Sequence, residues 1–348
     1  MNAGIAAPLL VADDVCKHYP VRGGVWGRSI GAIRAVDGVS LAVESQRTLG
    51  LVGESGCGKS TLGRTLMRLE TPTRGTVAFD GRDLARAHGD ELQRLRREIQ
   101  MVFQDPYSSL NPRMTVGEIV REPLVVHRIG SRAEQQERVR ELLETVGLDA
   151  TTVDRYPSEF SGGQRQRIGV ARALALGPRL VIADEPVSAL DVSVRGQVLN
   201  LMLRLQRELG LAFIFISHDL SVVEHMCDTV AVMYLGRIVE EAPVERLFAR
   251  PAHPYTRALL AAIPSLDPRR RTGAVPLEGE VPSPIDVPRG CPFAPRCAWV
   301  IAACRESVPA LEAVETSTHR AACIRRVEVA AEPLSVSGAP RRVTGASS

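Results

Sequence analysis

The stretch Gly53-Glu54-Ser55-Gly56-Cys57-Gly58-Lys59-Ser60-Thr61 satisfies the arrangement G-x-x-x-x-G-K-[ST] at every fixed position. A glycine-rich turn of this kind lets backbone N–H groups close around phosphate oxygens at the positive end of the following helix. Lys59 is then placed to reach the β- and γ-phosphates, and Ser60 offers its hydroxyl to Mg²⁺. The bland alternative is a glycine-rich turn with a coincidental lysine. The flanks argue against it: Thr48-Leu49-Gly50-Leu51-Val52 reads as a buried strand, and Ser60 to Leu69 carries apolar residues at helical spacing. The chemistry expected is the binding of a nucleoside triphosphate with magnesium.

A second pattern points the same way. Leu180-Val181-Ile182-Ala183-Asp184-Glu185 is an apolar strand that ends in two acids. Asp184 suits a carboxylate holding Mg²⁺ through water, and Glu185 suits a general base that polarises an attacking water. Alone, a strand ending in Asp-Glu is often only a strand end; beside the phosphate loop the chemical reading wins. Between them lies Phe160-Ser161-Gly162-Gly163-Gln164-Arg165-Gln166-Arg167, opening a helical run from Ile168 to Leu176. A hydroxyl, free N–H groups and a helix dipole make a second anion-binding end, although Ser161 would equally serve as a plain N-cap. A chain with two phosphate-binding ends can use both if two subunits face each other.

The elements that must position these residues read as α/β. Leu180–Ala183 and Ala212–Ile216 are continuous apolar runs of the kind found in parallel sheets covered on both faces, with helical segments between them. Val11–Tyr19 and Ile33–Val43 look like strands of an N-terminal β-rich section, joined by a glycine-rich loop at 22–28, and Gly75–Phe79 like another strand. Residues near 90 to 150 are polar and helical in pattern. After about Arg250 proline becomes frequent, helical periodicity fades and four of the seven cysteines appear; from about Val327 an Ala/Pro/Ser/Arg-rich tail is expected to be disordered. The length of 348 residues allows one large domain or two, and 45% hydrophobic residues supply ample core. A formal charge of +3 does not argue for nucleic acid. No apolar run reaches the ~18 residues of a membrane helix, and the N-terminus lacks a signal-peptide pattern. The expectation is a cytosolic chain that meets a membrane through a partner.

Taken in order, these motifs resemble those of ABC transporter ATPase subunits, with Phe160 where leucine is usual. The resemblance covers residues 9 to about 325. It implies a RecA-like parallel-sheet core, an N-terminal antiparallel β subdomain and a helical subdomain at about 105–178. These make up a nucleotide-binding domain over 9–250, followed by a C-terminal domain at 251–326 and the tail at 327–348. It implies roles for further residues. Gln104 matches the Q-loop glutamine that senses Mg²⁺, Asp191 closes the D-loop Ser188-Ala189-Leu190-Asp191, and His218 matches the switch histidine at the γ-phosphate. Ser161, Gly162, Gly163 and Gln164 match the ABC signature. Tyr19 sits where an aromatic stacks on adenine, worth roughly 1–3 kcal/mol per base, though a core tyrosine would look the same. Gln104–Arg113 and His253-Pro254-Tyr255-Thr256 resemble the oligopeptide/dipeptide importer branch. The activity implied is ATP hydrolysis driving peptide import at the cytoplasmic face of the membrane. The partners implied are a second ATPase subunit in a heterodimer, two transmembrane permease subunits and, indirectly, a solute-binding protein, with no nucleic acid. Nickel chelates or another small solute are alternative cargoes. A soluble ABC ATPase is disfavoured by the single cassette without sustained heptads, and a non-hydrolysing module by the presence of both Glu185 and His218.

Cys291, Cys297, Cys304 and Cys323 fall within thirty-three residues, with five, six and eighteen residues between successive cysteines. Four thiolates complete the first shell of an iron–sulfur cluster or a tetrahedral zinc, while free packed thiols are the plainer reading. The spacing lacks the C-x-x-C of common zinc ribbons. The resemblance implies a [4Fe–4S] cluster of structural or regulatory use. Cys57, inside the phosphate loop, would be open to alkylation if nucleotide did not shield it.

Overall fold

The computed structural model describes residues 7–23, 28–105, 107–263 and 279–333. In chain order the strands and helices are β1 (Leu10–Gly23), β2 (Arg28–Val43), β3 (Thr48–Val52), α1 (Lys59–Leu66), β4 (Arg74–Phe79), β5 (Arg82–Asp83), α2 (Gly89–Glu98) and β6 (Ile99–Val102). Then come α3 (Val116–Val126), α4 (Arg132–Thr145), α5 (Gly162–Leu174), β7 (Leu180–Asp184), α6 (Val192–Leu209) and β8 (Ala212–Ser217). The last are α7 (Leu220–Met226), β9 (Thr229–Tyr234), β10 (Arg237–Pro243), α8 (Val244–Ala249), α9 (Pro254–Ala261), β11 (Glu312–Ala313), β12 (Arg320–Ala321) and α10 (Arg326–Ala331). They group into two compact units that interleave along the chain. The first comprises Met1–Val15, Ser40–Gly50 and Ser60–Ser217; the second comprises Cys16–Val39, Leu51–Lys59 and His218–Ser348. Both units draw on the N-terminal strands.

In the first unit the strands run in the order β3-β8-β7-β6, with β6, β7 and β8 parallel. Every residue of β7 and of β8 is buried, which is why each reads as an unbroken apolar run rather than an alternation. The start of β1 and the end of β2 join β4 and β5 in the order β2-β1-β4-β5, and β4 pairs antiparallel with β5. Helices α3, α4 and α5 pack on one another. Each opens with a capping box: Thr115 with Glu118, Ser131 with Glu134 and Ser161 with Gln164. Such caps satisfy otherwise orphaned N–H groups and stabilise a helix start by about 1 kcal/mol each.

In the second unit the order is β11-β12-β10-β9-β3, with β9, β10, β12 and β11 joined antiparallel. Two expectations are corrected here. Helical structure does not fade out past residue 250, since α9 and α10 lie there. The tail expected from Val327 instead opens within α10, because Val329 and Ala330 are buried and Ala330 joins Ala252 and Ala321 in a small apolar core. The residues from 334 onward, and the tip of the glycine-rich loop at 24–27, lie outside the described residues.

Candidate active site

The loop leaves the end of β3 in the second unit and folds around its own lysine. Lys59 is 4% exposed, and its Nζ donates to the carbonyl oxygens of Gly53 at 2.8 Å and Glu54 at 2.9 Å. The two fixed glycines are sterically required. At Gly53 (φ 155°) a Cβ would collide with the carbonyl oxygen of Met233, and at Gly58 (φ 108°) with that of Ala35. Only a residue without a side chain lets the backbone come this close. Ser55 and Gly56 are exposed at the tip, Cys57 is buried, and Thr61 sits in the first turn of α1. Burial pushes the Cys57 thiol up, ahead of the lowering influence of Lys59, which disfavours its thiolate.

In the first unit, sheet register gathers the acids and the glutamine. Val102 of β6 pairs with Ala183 of β7, so Gln104 and Glu185 each stand two residues beyond paired positions. Gln104 Nε2 donates to Glu185 Oε2 at 3.1 Å. Asp184, 3% exposed at the carboxyl end of β7, accepts from the Ser60 hydroxyl at 2.8 Å. Carboxyl ends of parallel strands are where open α/β sheets hold ligands. Glu185 adopts φ 45°, a left-handed conformation costing a non-glycine residue on the order of 1–3 kcal/mol. Its N–H donates to Ile216 and its carbonyl accepts from the Ser188 hydroxyl, and these bonds hold the turn.

Helix α5 carries the Ser161–Gln164 motif at its start. Ser161 Oγ accepts from Gln164 N–H at 3.4 Å while Gln164 Oε1 accepts from Ser161 N–H at 2.9 Å, both residues exposed. Gly163 is buried, and a Cβ there would collide with Val194 of α6. Phe160, at the position of the family leucine, is 5% exposed with the Arg155 guanidinium 4.7 Å from its ring centroid. The same helix holds the segment after Gln104: Arg165 lies 4.2 Å from the Tyr107 ring centroid, and Arg172 donates to the Ser109 carbonyl at 2.6 Å. Asp191 is the exposed residue ahead of α6. In the second unit, His218 directly follows β8 and is exposed, and Tyr19 is half-buried on β1 with Lys17 Nζ 5.0 Å from its ring centroid.

All seven cysteines are free, and Cys291, Cys297, Cys304 and Cys323 line one cavity of the second unit together with His253, Phe293 and Trp299. Burial pushes the Cys297 thiol up to about 12 and the Cys323 thiol up to about 11, with neighbouring cysteines adding to both. Among the described residues, Cys16, His18 and Asp37 place three potential ligand atoms within 4.8 Å of one another. The Asp37 carboxylate in that trio is already engaged by Arg237 at 2.6 Å. What sequence reasoning missed is the set of residues gripping the loop itself. Tyr255 accepts from Glu54 N–H at 2.8 Å, and Arg296 pairs with both carboxylate oxygens of Glu54 at 2.7 and 3.0 Å. Separations of 201 and 242 residues leave no local signal for these contacts.

Residues 36–188 match the family model for the ABC transporter, and residues 239–304 match that for the oligopeptide/dipeptide transporter C-terminal region. A probable peptide ABC transporter ATP-binding protein of Sinorhizobium fredii is 55% identical over 330 residues, covering 94% of this chain and 93% of that protein. The dipeptide transport ATP-binding protein DppF of Haemophilus influenzae is 53% identical over 305 residues, covering 88% of this chain and 93% of its own. Among solved structures, the dimeric post-hydrolysis state of the ATP-binding cassette MJ0796 bound to ADP and Pi aligns with a TM-score of 0.60. It is 30% identical and covers 68% of this chain and 98% of its own.

Proposed function

This chain belongs to the ABC transporter family as an ATP-binding subunit, and we propose that it is the motor of an importer for di- or oligopeptides. The observation that carries the hydrolytic part is the convergence of Ser60, Asp184, Glu185 and Gln104 at the ends of β6 and β7. Ser60 and Asp184 offer the hard oxygen ligands that suit Mg²⁺, which when bound neutralises charge on the phosphates. Lys59 and the N–H groups of Gly53, Ser55, Gly56, Cys57, Gly58, Ser60 and Thr61 hold the β- and γ-phosphates. Glu185 takes the proton of the attacking water, and Gln104 orients that carboxylate; with Mg²⁺ bound, Gln104 would join Ser60 and Asp184 in holding it. His218 contacts the γ-phosphate, and Tyr19 stacks on adenine. Ser161, Gly162, Gly163, Gln164 and Asp191 complete the nucleotide site of a facing subunit, so the working unit is a dimer seated on two permease subunits. The peptide cargo follows from the names of the relatives and the C-terminal family match.

Glu185→Gln tests this reading, because it keeps the shape and removes the base. ATP should still bind, while turnover of the assembled transporter should fall by about 10²–10⁴. Turnover at the wild-type rate would end the assignment of Glu185 as base.

Cys291, Cys297, Cys304 and Cys323, which line one cavity, would hold a [4Fe–4S] cluster, a reading favoured over zinc because their spacing lacks the C-x-x-C of common zinc ribbons. Anaerobically purified protein should be brown with about four iron per chain; colourless protein with one zinc would replace the cluster by a structural zinc site.

A further inference from the structure

Every polar group of Glu54 is in use. Its carbonyl accepts from Lys59 Nζ at 2.9 Å and from Cys57 N–H at 3.3 Å, contacts inside the loop. Its N–H donates to the Tyr255 hydroxyl, and its carboxylate takes the two-pronged Arg296 guanidinium, contacts that come from the C-terminal region. The Arg296 side chain is 4% exposed and that of Glu54 26%, so the pair is shielded from water on the arginine side. A planar fork on a carboxylate fixes position as well as charge.

Arg296 and Tyr255 are themselves held by the cysteine-bearing segment. Arg296 immediately precedes Cys297, at the end of a short helical turn where Ala294 N–H donates to Cys291 and Arg296 N–H to Phe293. Phe293, a wall of the cavity, packs on Tyr255 and on Tyr234 with ring centroids 5.4 Å apart in each case. Tyr234 and Tyr255 lie 4.7 Å apart, and all three rings are buried. Tyr234 also follows Met233, whose carbonyl excludes any side chain at Gly53. Two separate routes, one ionic and one aromatic, therefore end on the same residue of the loop.

We propose that Arg296 and Tyr255 are positioning residues for nucleotide binding: they brace Glu54, and through its carbonyl the Lys59 ammonium, so that the turn from Cys291 to Cys297 and the phosphate loop are energetically coupled. The proposal rests on reading Gly53–Thr61 as the phosphate loop. Coupling of this kind is reciprocal, so nucleotide must also stabilise the turn.

The test uses the full chain and equilibrium titration with a fluorescent ATP analogue. Arg296→Gln and Glu54→Gln should each weaken binding about ten-fold, within the usual range of site-to-site coupling. The double variant should be no weaker than either single one, and Arg296→Lys should recover part of the loss. In the assembled transporter KM for ATP should rise more than kcat falls. Saturating nucleotide should slow amide hydrogen exchange at 291–297 about five-fold in the wild type and leave it unchanged in Arg296→Gln. Binding within two-fold of wild type in both single variants, or a double variant weaker by the product of the two, overturns the proposal. So does exchange at 291–297 that ignores nucleotide in the wild type. Should Arg296→Gln fail to fold, Glu54→Gln decides, since its carboxylate is partly exposed. Lys59→Ala separates the two levels: normal binding by that variant overturns the phosphate-loop reading, whereas its loss beside normal binding in the other variants overturns only the brace.

Discussion

Gly58 shows how one residue type is fixed by its surroundings rather than by the chemistry it performs. Its φ of 108° and the Ala35 carbonyl in the space a Cβ would fill leave glycine as the residue that fits. Gly58→Ala should therefore abolish detectable nucleotide binding by displacing Lys59, and should cost stability of about 1–3 kcal/mol through strain and overpacking. Nucleotide titration beside a thermal melt checks both halves, and a variant that binds normally would show that the loop relaxes around the extra carbon. Glu185 is the complementary case. Its strained backbone is tolerated because hydrogen bonds hold it through its N–H, its carbonyl and its carboxylate. Gln104→Ala removes the side-chain bond, and the expected outcome is slower turnover with nucleotide binding retained.

At the scale of elements, Asp37 pins three strands of the second unit. From β2 it accepts from His18 of β1 at 3.0 Å and from Arg237 of β10 at 2.6 Å. Burial raises its pKa, but Arg237 and then His18 outweigh that and hold the carboxyl below its ordinary value of 3.8. A depressed carboxyl contributes stability that is fully present above its unfolded pKa and is lost as pH falls through the folded one. Acid titration below about pH 4 should therefore lower the melting temperature of the wild type more steeply than that of Asp37→Asn. At neutral pH the variant should already be weaker by about 1–3 kcal/mol, the cost of a lost charged hydrogen bond. Parallel slopes for the two proteins would show that Asp37 carries none of the acid sensitivity. Helix α5 is a second such element: its start carries the signature residues while Arg165 and Arg172 hold the segment after Gln104.

At the scale of the whole molecule, one chain supplies one phosphate loop and one Ser161–Gln164 helix end, and the proposed function needs a facing subunit to use both. The isolated chain should be a poor ATPase whose specific activity rises with concentration, or on adding a partner subunit. Steady-state assays across a concentration series check this, and strong activity independent of concentration would count against the shared site. No helix among the described residues is long and apolar enough to cross a membrane.

The sequence by itself determined the nucleotide chemistry and the α/β class. Phosphate loops and buried parallel strands are specified by residues adjacent in the chain, as Gly53–Thr61 and Leu180–Glu185 are, so their spacing survives in one dimension. Tertiary structure alone decided how those pieces meet. Parallel register set Gln104 on Glu185, and a small apolar core drew part of the expected tail into helix α10. The grip of Tyr255 and Arg296 on Glu54 was invisible for a physical reason: it joins residues more than 200 positions apart through one hydroxyl and one guanidinium. No periodicity or local motif encodes such a contact, because it exists only after the C-terminal region has packed its aromatic rings against β9.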